Sequence, residues 1–77
     1  MTTTTKTAAE IAAIIANVRK FESRLPKMDA IGATLALCNL HMAESEVVCG
    51  NAAGSLPYIE KARKALAVIG LDAFIPT

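Results

Sequence analysis

Ala30-Ile31-Gly32-Ala33-Thr34-Leu35-Ala36-Leu37-Cys38-Asn39-Leu40-His41-Met42-Ala43 runs for fourteen residues without a carboxylate, lysine or arginine. A surface helix of a small domain carries one apolar stripe and one polar face. Turning about 100° per residue from Ile31, as an α-helix does, gathers Ile31, Leu35, Cys38, Met42 and Cys49 on one side. Ala33, Leu37, Leu40, Val47 and Val48 gather on nearly the opposite side. Thr34, His41 and Ser45 run down one seam between these faces. Asn39 and Glu46 mark the other, beside the small residues Gly32, Ala36 and Ala43. One helix with two apolar faces is hard for a short chain to cover, so this stretch points to assembly rather than chemistry.

The flanking segments read as shorter amphipathic helices. Thr7-Ala8-Ala9-Glu10 has capping-box spacing, and Ile11, Ile14, Ile15, Val18, Phe21 and Leu25 follow at steps of three and four. Helix 1 is predicted from about Ala8 to Arg24, ending before Pro26 because a proline disfavours helical geometry in the residue ahead of it. Asp29 is the predicted N-cap of helix 2, which then runs to about Cys49, where Gly50-Asn51 supplies a stop. Asn51-Ala52-Ala53-Gly54 reads as a connection and Ser55 as the N-cap of helix 3, with Pro57 in its first turn, where a missing N–H does no harm. Tyr58, Ala62, Ala65, Leu66 and Ile69 form the inner stripe of that helix, and Glu60, Lys61, Arg63 and Lys64 its solvated face. Gly70 fits a left-handed terminus, and Phe74 and Ile75 are apolar enough to seek a groove. No segment alternates as a strand does. The expected fold is therefore all-α: a small three-helix antiparallel bundle with helix 2 central, assembled into a dimeric helical bundle. Residues 1–6, mostly threonine, are expected to form a disordered tail, and 7–77 one helical domain.

Size and composition narrow the function classes. Seventy-seven residues lie near the lower limit for independent folding, where disulfides, metals or oligomerisation usually add support. A hydrophobic fraction of 53% and a mean hydropathy of +0.42 are high for so small a body and point to apolar surface buried against something else. A net charge of +1 gives no electrostatic case for nucleic acid or an anionic membrane. No apolar run reaches the roughly 20 residues of a membrane-spanning helix, and the N-terminal threonines lack the apolar core of a secretory signal. The expected location is the cytoplasm. Cys38 and Cys49, eleven residues apart on one helix, are separated by roughly 16 Å, beyond the reach of a disulfide, and are expected as reduced, buried thiols.

Cys38-x-x-His41-x-x-Glu44 has ligand-type residues one turn apart. They drift around the helix instead of converging, so neither a metal nor any other cofactor is predicted; symmetry in an oligomer is the one route by which they could join a metal site. His41 lacks the orienting acid and nucleophile that general-base chemistry requires, so no catalytic residue is predicted and the chain is read as not an enzyme. Thr34, Asn39 and His41 are instead expected as a polar seam, hydrogen-bonded at a helix–helix contact. Ala36–Ala43 together with Tyr58–Leu66 resembles the helix pair of a tetratricopeptide repeat, although His41 stands at that family's glycine position and only one unit is present. The resemblance extends to a helical hairpin and to no function.

These readings converge on a non-enzymatic module that self-associates as a homodimer, with Ala33, Leu37, Leu40, Val47 and Val48 as the expected interface. The alternatives are a dimeric nucleic-acid-binding or regulatory protein, using Arg19, Lys20, Arg24 and Lys27 or Lys61, Arg63 and Lys64, or an adaptor subunit docking on another protein.

Overall fold

A computed structural model describes residues 5–75 of the chain. The tail expected over residues 1–6 therefore lies outside the described residues, apart from Thr5 and Lys6. Helix α1 spans Ala8–Glu22. Its start is the expected capping box: the Glu10 N–H donates to Thr7 Oγ1 at 3.1 Å, and the Thr7 N–H donates to Glu10 Oε1 at 3.0 Å. The Thr7 backbone N–H, and then the Thr7 hydroxyl, hold the Glu10 carboxyl below its ordinary value.

Helix α2 spans Lys27–Val48 and begins two residues before the expected N-cap. Pro26, extended at ψ 154°, is the N-cap, and Asp29 sits in the first turn, where a carboxylate complements the helix dipole. Helix α3 spans Ala52–Val68. The four residues read as a connection are mostly its first turn, because Asn51, not Ser55, is the N-cap: Asn51 Oδ1 accepts from the Gly54 N–H at 3.1 Å. Ser55 is buried instead, its hydroxyl donating to the Ala52 carbonyl at 2.5 Å. Pro57 consequently lies inside the helix rather than in its first turn.

Both long helices end alike. Gly50 and Gly70 adopt φ of 86° and 76°. The Asn51 N–H reaches back to the Glu46 carbonyl and the Leu71 N–H to the Leu66 carbonyl, each at 2.8 Å. These are Schellman closures, and glycine fits them because it has no Cβ to oppose positive φ. A 3-10 turn at Asp72–Phe74 follows α3.

Neighbouring helices run antiparallel. Glu22 and Arg19 of α1 meet Thr34 and His41 of α2 in reversed order. Gly32, near the start of α2, approaches Ala65 and Ile69 near the end of α3. α2 is central: α1 and α3 each pack on it, and their backbones do not approach one another directly. The body is flattened, with principal extents of 36 × 24 × 15 Å. Its core joins Ile11, Ile14, Ile15 and Val18 of α1 to Leu37 and Leu40 of α2 and to Ile59 and Leu66 of α3. Buried Ala33, Ala36, Ala43 and Ala62 let the backbones come close. Ile75, 2% exposed, closes the core from the C-terminal turn. Among the described residues there is no strand, and no helix is long and apolar enough to cross a membrane.

Candidate interaction surface

The two apolar faces of α2 are both present, and the one expected as the interface is the one buried within the chain. Ala33, Leu37 and Leu40 are buried within the chain, and Val47 is partly buried against the same core. Only Val48 of the expected interface is open to solvent, at the end of the helix. The physical reason is the distribution of small residues. Ala33, Ala36 and Ala43 share the face of Leu37 and Leu40, so this face admits both neighbouring helices at close range while its leucines fill the space between them.

The opposite face is uncovered. Met28 is 80% exposed, Ile31 65%, Leu35 58% and Met42 48%. Cys38 and Cys49 are free and exposed on the same line, not buried as expected. Large apolar side chains exposed singly are ordinary, but a contiguous line of them marks a contact surface.

Polar contacts fix α2 to its neighbours on either side of this line. On the α1 side, Thr34 Oγ1 donates to Glu22 Oε2 at 2.7 Å. The Arg19 guanidinium donates to His41 Nε2 at 3.2 Å, and His41 Nδ1 lies 3.9 Å from Glu44 Oε1. On the α3 side a Cβ added to Gly32 would stand 3.7 Å from Ile69 and 3.8 Å from the Ala65 carbonyl, ordinary contact distances. Glu46 Oε2 accepts from Asn51 Nδ2 at 2.9 Å. Of the three expected seam residues, Thr34 and His41 bridge two helices. Asn39 instead donates to the Leu35 carbonyl of its own helix at 3.0 Å.

An open groove of about 310 Å³ runs between α1 and α2, lined by Ala12, Ile15, Ala16, Arg19, His41 and Glu44. It is shallow and lies beside the exposed line. Cys38 does not join His41 and Glu44 in a cluster, and no group of three or more ligand-type side chains comes together among the described residues. The basic patches are partly spent internally. Arg19 holds His41, and Lys61 lies 5.7 Å above the Tyr58 ring. Arg63, expected on the solvated face of α3, turns inward with its side chain 16% exposed. Its Nε donates to the Ile75 carbonyl at 3.2 Å and Nη1 pairs with Glu60. That inward turn is hidden in the sequence because Arg63 sits among charged neighbours, and besides Glu60 its acceptor is a backbone carbonyl of the returning C-terminal turn, twelve residues away.

No protein family, curated protein or solved structure matches this chain.

Proposed function

We propose that this chain is a non-enzymatic helical module that forms a homodimer through the outward face of α2. The observation that carries the reading is the unbroken exposed line from Met28 through Ile31 and Leu35 to Met42. Covering one such side chain fully contributes about 1.5–3 kcal/mol, and a two-fold contact covers each of them twice. Two copies are favoured because α1 and α3 both pack on α2, so each chain offers one open face of that helix, and two-fold closure is the commonest symmetry.

Sedimentation equilibrium under reducing conditions, with Leu35→Glu beside the natural chain, tests this. The natural chain should sediment at twice its 8.1 kDa at micromolar concentration. Leu35→Glu should sediment as a monomer with its helical circular dichroism unchanged. Leu37→Glu, which places a carboxylate in the core, should unfold the chain rather than merely dissociate it. A folded natural monomer at all concentrations overturns the reading.

A further inference from the structure

The outward line on α2 has a regular step. Met28, Ile31, Leu35, Cys38, Met42, Ser45 and Cys49 follow one another at alternating intervals of three and four. All seven are exposed. This spacing matches the heptad seam of a left-handed coiled coil over three heptads, with Met28, Leu35, Met42 and Cys49 at a and Ile31, Cys38 and Ser45 at d. The seam is separate from the buried face, so one helix serves a packed core on one side and a coiled-coil register on the other.

The edges of a seam set orientation. In this register the α1 edge carries Thr34 and His41 at g, and the α3 edge carries Asn39 and Glu46 at e. A parallel pair of helices sets g of one against the following e of the other, which places Thr34 opposite the partner's Asn39 and His41 opposite the partner's Glu46. Both pairings are complementary with the groups already engaged. His41 uses Nε2 on Arg19, and its Nδ1, 3.9 Å from Glu44 Oε1, makes no hydrogen bond among the described residues; Glu46 uses Oε2 on Asn51 and keeps Oε1. Asn39 Nδ2 spends one of its two hydrogens on the Leu35 carbonyl, leaving the second for the Thr34 hydroxyl. Arg19, hydrogen-bonded to His41, and Glu44, beside its Nδ1, set one positive and one negative charge at this edge, so the complementarity rests on the His41 ring itself. An antiparallel pair matches each edge with itself, and Glu46 then faces an edge of Gly32, Asn39 and Glu46 with no cationic or histidine donor.

We infer that the occupant of the α2 seam is the α2 helix of a second copy running parallel to the first, in register, with a two-fold axis along the seam. The inference rests on the self-association proposed above and adds its direction and register. A consequence concerns the two cysteines. Residues on the seam meet their own symmetry mates, so Cys38 faces the partner's Cys38 and Cys49 the partner's Cys49. Within one chain the two are too far apart to bridge, but across the seam each pair comes within bridging reach.

Oxidation of the natural chain with diamide tests this. Each bridge forms as two thiols give up two protons and two electrons to the diazene, which becomes the hydrazine. Peptide mapping should find Cys38–Cys38 and Cys49–Cys49 bridges without Cys38–Cys49 bridges. A statistical mixture of all three marks random collision and overturns the parallel register, as does the absence of bridges in a chain that sediments as a dimer when reduced. A reduced chain that sediments as a monomer defeats the self-association reading itself, and the register with it. A second measurement moves the probe: in a chain carrying Cys38→Ser and Cys49→Ser, Leu35→Cys should cross-link to its own copy, while Lys64→Cys on the outer side of α3 should not. Cross-linking of Leu35→Cys only when mixed with a chain that keeps Cys38 alone would instead establish the antiparallel pairing.

Discussion

Leu35 and Leu37 stand two residues apart on one helix, and their surroundings differ completely. Leu37 is buried in the core the three helices share; Leu35 is 58% exposed. Truncating a buried leucine removes transfer energy and leaves a cavity. Leu40→Ala, at a fully buried position, should therefore lower stability by about 2–5 kcal/mol in urea denaturation of the dilute chain. Leu35→Ala should change dilute-chain stability by much less and act on association instead. The capping box supplies a second residue-scale prediction. Thr7→Ala should cost about 1 kcal/mol, read as the same urea midpoint shift. Glu10, held below the ordinary carboxylate value by the Thr7 N–H and then the Thr7 hydroxyl, contributes through its charged form. That contribution is complete above the ordinary carboxylate value and is lost as pH falls through the lowered one. Acid titration followed by NMR should show the first-turn amides of α1 shifting with Glu10, and Glu10→Gln should abolish that transition.

At the scale of the element, the ends of helices carry most of what the local sequence specifies. Thr7 with Glu10, and Gly50 and Gly70, signal their helix ends because capping depends on contacts within a few residues. Both glycines do what their positions suggested, whereas Asp29 and Ser55 do not cap. α3 starts ahead of Ser55 because Asn51 follows directly on the glycine that closes α2, so one short segment ends a helix and begins the next. Gly50→Ala tests the closure. A Cβ there meets nothing within 4 Å, so any loss comes from the left-handed backbone, about 1–2 kcal/mol. The C-terminal turn depends on a side chain that sequence patterning placed in solvent. Arg63 holds the Ile75 carbonyl, and Phe74 rests on Phe21 with ring centroids 5.1 Å apart. Arg63→Ala should release this turn, raising hydrogen exchange at Ile75 while leaving exchange in the middle of α2 unchanged.

At the scale of the whole molecule, the arrangement of three antiparallel helices with α2 central was legible in the sequence. The stripes of α1 and α3 face one way each, and short loops leave little choice of topology. The orientation of α2 about its own axis was not legible. Its apolar residues surround it so evenly that periodicity favours neither face; the choice falls to close packing of Ala33, Ala36 and Ala43 against both neighbours, a property of three helices together. The same choice exposes the heptad seam and moves the candidate interface from Leu37 and Leu40 to Ile31 and Leu35. Sedimentation equilibrium of the reduced natural chain beside Leu35→Glu tests the central claim most directly. The account predicts a mass of twice 8.1 kDa for the natural chain and a folded monomer for the variant. A natural chain that stays monomeric across the micromolar range, or a Leu35→Glu chain that remains dimeric, would contradict it.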